Sequence, residues 1–142
     1  MQHISVPSNP ILNGSVSALL TFLAAFNTTD IAAGVKVATI RADALNPVLL
    51  EFFAEVTVAF NAVTTNVLTV GSDITANQFL SAADITEGTL GFYPAAITRK
   101  RIVADTDIYL KYTQSGGVAT TGSALIYLRV TPLAPSPSGY LR

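Results

Sequence analysis

Few residues in this chain could do chemistry, and their spacing argues against most of it. His3 is the single histidine and there is no cysteine, so one subunit can build neither a Ser-His-Asp arrangement, nor a multi-His metal site, nor a thiolate centre or disulfide framework. Glu51 and Glu55 are an even number of residues apart and share one face of a strand, where paired carboxylates can do acid/base work; a solvated strand face is the plainer reading. Asp105 and Asp107 also point the same way and could hold Ca²⁺ with backbone oxygens, but the 12-residue calcium-loop pattern is absent. Arg99-Lys100-Arg101 is the one basic cluster, too few phosphate contacts for strong nucleic-acid binding and without interleaved aromatics. No Gly-rich phosphate loop of the Walker or dinucleotide type occurs. The expectation is a protein that is not an enzyme and takes no cofactor and no metal.

The elements that would position these side chains are strands. From Pro47 to Asn61 the even positions Val48, Leu50, Phe52, Ala54, Val56, Val58 and Phe60 alternate with Glu51, Glu55 and Thr57, the period of a strand with one dry face. Each large apolar side chain fully buried contributes roughly 1.5–3 kcal/mol, so this stretch is the expected centre of the core. Ser15 to Phe26 alternates through Val16, Ala18, Leu20, Phe22 and Ala24, although Leu19, Leu23 and Phe26 would also suit a helix; a strand is the reading adopted. Val35, Val37 and Thr39 predict a shorter strand to Arg41, and Asn66 to Val70 another, closed by Gly71 and paired as a hairpin with the central strand. Thr75 to Ala83 breaks the pattern and suggests one helical turn with Phe79 and Leu80 on one side. Residues 84 to 103 form a long connection with strand pieces near Leu90 to Tyr93 and at Ile102. Thr106 to Thr113 turns Ile108, Leu110 and Tyr112 inward, and Ser123 to Thr131 does the same with Ala124, Ile126, Leu128 and Val130, the glycines between them marking a hairpin loop.

Seven or eight strands, at most one short helical turn and no repeat of fixed period predict an all-β fold, an antiparallel β-sandwich of jelly-roll type with extended terminal arms. Residues 1–14 form the N-terminal arm, 15–131 the sandwich, and 132–142 a Pro-rich C-terminal arm. Residues 1–13 and 132–142 hold five of the seven prolines.

At 142 residues one domain can bury a core by packing alone. Charged residues make up 12% of the chain, about half the share usual for globular domains, and the formal net charge is −1. No global field attracts nucleic acid or anionic lipid, and the surface must be rich in Thr, Ser, Asn and Ala or hidden against other subunits. No apolar run is long enough for a membrane helix, and the first ten residues lack the pattern of a signal peptide. Neither a membrane nor a nucleic acid is the expected partner.

Residues 59 to 71, AFNAVTTNVLTVG, then FLSAADIT at 79 to 86 and VADTDIYLKYTQSGGVATTGSALIYLRV at 103 to 130, resemble small structural proteins of tailed bacteriophages, most closely head decoration, or cement, proteins. The resemblance covers about residues 15 to 131 and implies a jelly-roll homotrimer, assembled in the host cytoplasm, that sits on the outer surface of the capsid and clamps neighbouring major capsid proteins. Physical reasoning adds candidate contacts to the capsid: the arms, through Val6, Pro7, Pro10, Ile11, Pro132, Pro135 and Pro137, and the connection carrying Arg99, Lys100 and Arg101. The alternative is a head-fibre or tail-fibre module that binds a host receptor or glycan, with Tyr93, Tyr109 and Tyr127 supplying stacking faces.

Overall fold

Alternation in the sequence becomes two sheets packed face to face. The computed structural model describes residues 17–27, 31–74, 78–95 and 99–133, together with the backbone of Ile11 and Leu12. The strands are β1 (Ile11–Leu12), β2 (Ala18–Ala25), β3 (Val35–Ile40), β4 (Val48–Val58), β5 (Thr65–Gly71), β6 (Gly91–Pro94), β7 (Lys100–Ile102), β8 (Thr106–Ser115) and β9 (Ser123–Pro132). One sheet runs β1-β3-β8-β5; the other runs β2-β9-β4-β6, with β7 also pairing β4. Every described pairing is antiparallel except that of β1 with β3.

The chain crosses between the sheets at each step from β2 to β5. It then stays in the first sheet, where Leu80 bridges Val70 of β5, and crosses again on the way to β6, to β8 and to β9. β6 lies against Phe53 to Val56 and β7 against Val48 to Leu50 on one edge of β4, so the two act as a single interrupted strand. This strand order, with the Leu80 bridge standing in for a short strand, is that of a jelly roll.

The core lies between the sheets. Leu50, Phe52 and Val56 of β4 meet Leu68, Ile108, Leu110 and Tyr112 of the opposing sheet, and all are buried. Inward positions on β8 and β9 follow the sequence reading: Ile108, Leu110 and Tyr112 are buried on one, Ala124, Ile126, Leu128 and Val130 on the other. β2 is a strand, with Ala18, Leu20 and Ala24 inward and Leu19 and Leu23 exposed.

Several expectations are corrected. The register of β4 against β9 shifts between Val56 and Val58, so Val58, expected inward, is 47% exposed, while Phe60 returns to the core against Tyr112. A shift between Lys36 and Ala38 likewise changes the parity of β3: Ala38 and Ile40 are fully buried, and Val35 and Val37 pack half-buried against the core. Neither proposed hairpin forms: β5 pairs with β8 instead of β4, and β8 and β9 lie in different sheets, because both connections carry the chain from one sheet to the other.

Part of the expected helical turn, residues 75–77, lies outside the described residues, and no helix occurs among the described ones. Phe79 and Leu80 instead use their backbone N–H groups on the Val70 carbonyl, at 3.0 and 3.1 Å. Strand pairing reaches into both expected arms. Ile11–Leu12 pairs with Thr39 and Ile40, Pro132 sits opposite Val48, and Leu133 N–H donates to the Pro47 carbonyl at 2.9 Å.

Candidate functional site

Strand alternation sends Glu51 and Glu55 to the outer face of the second sheet, and each carboxylate has an occupant there. Arg99 Nε lies 3.4 Å from Glu51 Oε2, and the Tyr127 hydroxyl donates to Glu55 Oε1 at 2.7 Å. That bond holds the Tyr127 hydroxyl pKa above its ordinary value. Both carboxylates stand on the outer face of the sheet, each engaged by its own partner. Asp105 and Asp107 do not converge either. Asp105 Oδ1 accepts from the Ala42 N–H at 3.0 Å, whereas Asp107 Oδ1 accepts from the Thr39 hydroxyl at 2.8 Å and faces Lys36 at 3.8 Å. Among the described residues no three His, Cys, Asp or Glu side chains gather as a metal site would require.

A concavity of about 770 Å³ opens at one end of the sandwich between the β3–β4 and β7–β8 connections. Its carboxylates serve its own walls. Asp43 Oδ1 receives the N–H groups of Leu45 and Asn46 at 2.9 and 2.8 Å, and the Asn46 backbone bond is the first cause of the lowered pKa of Asp43. Asp105, on the other wall, is the acceptor for Ala42. The arrangement is an Asx-type turn closing a loop, a structural use of carboxylate.

Arg99, Lys100 and Arg101 are all exposed, but they do not form a loop. Lys100 and Arg101 belong to β7, opposite Leu50 and Leu49, and Arg99 reaches back to Glu51. The charges therefore mark a sheet edge, where exposed cations discourage unwanted strand pairing. Val6, Pro7, Pro10, Pro135 and Pro137 lie outside the described residues, as does His3.

Tyr93, Tyr109 and Tyr127 do not form one platform. Tyr93 packs against the core and donates to the Thr89 carbonyl at 2.8 Å. Tyr109 stands on the outer face of the first sheet and Tyr127 on that of the second, on opposite sides of the molecule.

Two features escaped the sequence reading. Phe53, Phe92 and Tyr127 form an outward aromatic row, with ring centroids 5.7 Å apart for Phe53–Phe92 and 6.3 Å for Phe92–Tyr127. The odd positions of β4 carry the signal for it, but there Phe53 stands among the polar Glu51, Glu55 and Thr57. The second is Glu87, 6% exposed, whose Oε1 accepts the Leu68 N–H at 2.7 Å. Burial raises its pKa, and its charge adds to the burial that raises that of Tyr112, whose hydroxyl donates to Asn66 Oδ1 at 2.6 Å. Nothing in the local sequence marks Glu87 as buried.

Comparison of the chain with family models, with curated proteins and with solved structures finds no match.

Proposed function

We propose that this chain is a virion structural protein, a decoration protein that binds the outside of a bacteriophage head as a homotrimer and stabilises contacts between major capsid proteins. The observation that carries this reading is the resemblance of residues 59–71, 79–86 and 103–130 to head decoration proteins. Physical chemistry supports it in three ways. Glu51, Glu55, Asp43, Asp105, Asp107 and Glu87 all hold structural hydrogen bonds or ion pairs, which suits a binding protein better than an enzyme. The jelly roll supplies a rigid body whose geometry does not have to change on binding. Segments rich in proline at both ends of the sequence can add contact area at a reduced ordering cost.

The test is where purified protein goes. Mixed with undecorated heads, with whole host cells and with a glycan array, it should co-sediment with the heads and ignore the other two. Binding to cells or glycans without binding to heads would overturn the decoration reading in favour of a fibre module.

A further inference from the structure

The two outer faces of this sandwich differ in kind. On the β1-β3-β8-β5 sheet the outward residues of β8 are Asp107, Tyr109, Lys111 and Thr113, beside Thr69 of β5, an ordinary wet sheet face. On the β2-β9-β4-β6 sheet the outward side chains are largely apolar, and Leu23 and Phe92 are 59% and 58% exposed. An apolar face of that extent, on one side only, is the mark of a contact surface.

Register decides what can cover it. Across the sheet, from β2 to β6, one row reads Leu23, Leu125, Glu55, Phe92 and the next reads Thr21, Tyr127, Phe53, Pro94. A third row places Leu19 beside Arg129 and Glu51. A two-fold axis parallel to the strands, lying over the seam between β9 and β4, keeps each row in place and exchanges β9 with β4 and β2 with β6. Arg129 then faces Glu51 of the other copy, Tyr127 faces Phe53, and Leu23 faces Phe92. Opposite charges meet at Arg129 and Glu51 and apolar groups at the other two pairs, while Leu125 of one copy comes over Glu55 of the other.

A two-fold axis across the strands would instead lay Glu51 over Glu55, like charge on like. A head-to-tail contact would need a second apolar surface of similar size, which the outer face of the other sheet does not offer. Four strands at about 4.8 Å spacing and about eight residues of strand length give roughly 500 Å² before side-chain relief is added, close to the roughly 600 Å² per partner of the smaller specific interfaces.

We propose that the outer face of the β2-β9-β4-β6 sheet is a self-association surface, covered by the same face of a second copy about a two-fold axis over the β4–β9 seam. The pairing does not rest on the capsid reading. Alone it gives two copies; combined with a three-fold assembly it gives six. Glu55 is its weak point, since Leu125 of the other copy would cover a carboxylate whose described partner is one hydroxyl. Glu55→Gln keeps an oxygen for Tyr127 and removes the charge, so it should tighten the pair.

Sedimentation equilibrium of the full chain tests the proposal, with melting curves confirming that each variant folds. A mass of two or six copies is expected, falling to one or three in Phe92→Lys and in Arg129→Glu. The double change Arg129→Glu with Glu51→Arg should regain most of the lost association, and Glu55→Gln should lower the dissociation constant several-fold. A wild-type monomer or bare trimer overturns the pairing, as does an unchanged mass in both single variants. If Phe92→Lys leaves the mass unaltered but abolishes binding to heads, the face belongs to the capsid and the self-contact is wrong, while the decoration reading survives.

Discussion

The rings of Phe52 and Phe79 stack 4.6 Å apart and within 6° of parallel. Phe52 belongs to the middle of β4 in one sheet, and Phe79 to the segment that bridges β5 in the other, so one ring pair ties the two layers together. Phe79→Ala should cost about 3–5 kcal/mol, the range for removing a buried aromatic ring. Phe92→Ala, on the exposed side of the same sheet, should cost under about 1 kcal/mol when association is held constant. Urea unfolding at matched oligomeric state separates them, and equal losses would mean that Phe79 is not part of the core.

Legibility followed the physics of each element. β4, β8 and β9 could be placed by their period because one face of each is dry, and Leu50, Ile108 and Leu128 are buried where alternation put them. Period two reports a face, not a neighbour, so the partners of β5 and β9 were misjudged even though their buried residues were not. Val58 leaves the core through a register shift, which changes the parity of a strand without leaving a residue that announces it. The Leu80 bridge is a single pair of residues, below the length at which alternation can be detected. Of the candidate contacts, Lys100 and Arg101 were recognised as exposed charge but not as an edge strand, since two residues ahead of one buried Ile102 show no period.

Val56→Asp should abolish folding, because Val56 is buried between the sheets and a carboxylate there has no partner. Thr57→Asp, one residue on, is exposed and loses only the hydroxyl bond to the Ser123 carbonyl at 3.2 Å. Circular dichroism should show an unfolded chain for the first and a melting curve close to wild type for the second. A folded Val56→Asp protein would put the register of β4 in error.

Glu87 makes stability depend on pH with a definite sign. Its native pKa is raised by burial, so below the ordinary glutamate range the carboxyl is protonated in both folded and unfolded chains and the cost is absent. As pH rises through the native value, folding must place an ionised group in a buried site, and that contribution to stability is lost. Glu87→Gln retains an acceptor for the Leu68 N–H and should flatten the fall in stability that sets in as pH rises above the ordinary glutamate range. Denaturant midpoints at several pH values for both proteins give the comparison. An unchanged slope would assign the pH dependence to other carboxylates.

Gly122 is held at φ +144, and a Cβ on it would overlap the Phe60 ring. Its carbonyl also accepts the Phe26 N–H at 3.1 Å, so the backbone cannot retreat without opening the end of β2. Gly122→Ala should therefore cost about 1–3 kcal/mol, the usual penalty for overpacking, with strain from the backbone conformation added to it. Thermal unfolding measures this directly, and a melting temperature within a degree of wild type would mean that Phe60 moves aside freely.

The sheets define where each end of the chain leaves the sandwich. Ile11–Leu12 pairs with β3, and Pro132 and Leu133 close against Val48 and Pro47, so these residues belong to the sandwich. Residues 1–10 and 134–142 carry Pro7, Pro10, Pro135 and Pro137, and proline restricts a chain before binding, lowering the entropy lost when it docks. A chain of residues 11–133 should melt within a few degrees of full length yet leave undecorated heads faster, because affinity changes at a given interface appear mainly in the dissociation rate. A chain of residues 14–131 should lose stability as well, since it removes β1 and the Leu133 bond to Pro47. Surface-immobilised heads and a melting curve for each length separate the two effects. If 11–133 decorates heads as tightly as the whole chain, attachment lies on the sandwich body, and the exposed edge at Lys100 and Arg101 becomes the contact to mutate first. If 14–131 melts with 11–133, the pairing of β1 with β3 contributes nothing measurable, and the sandwich begins at β2.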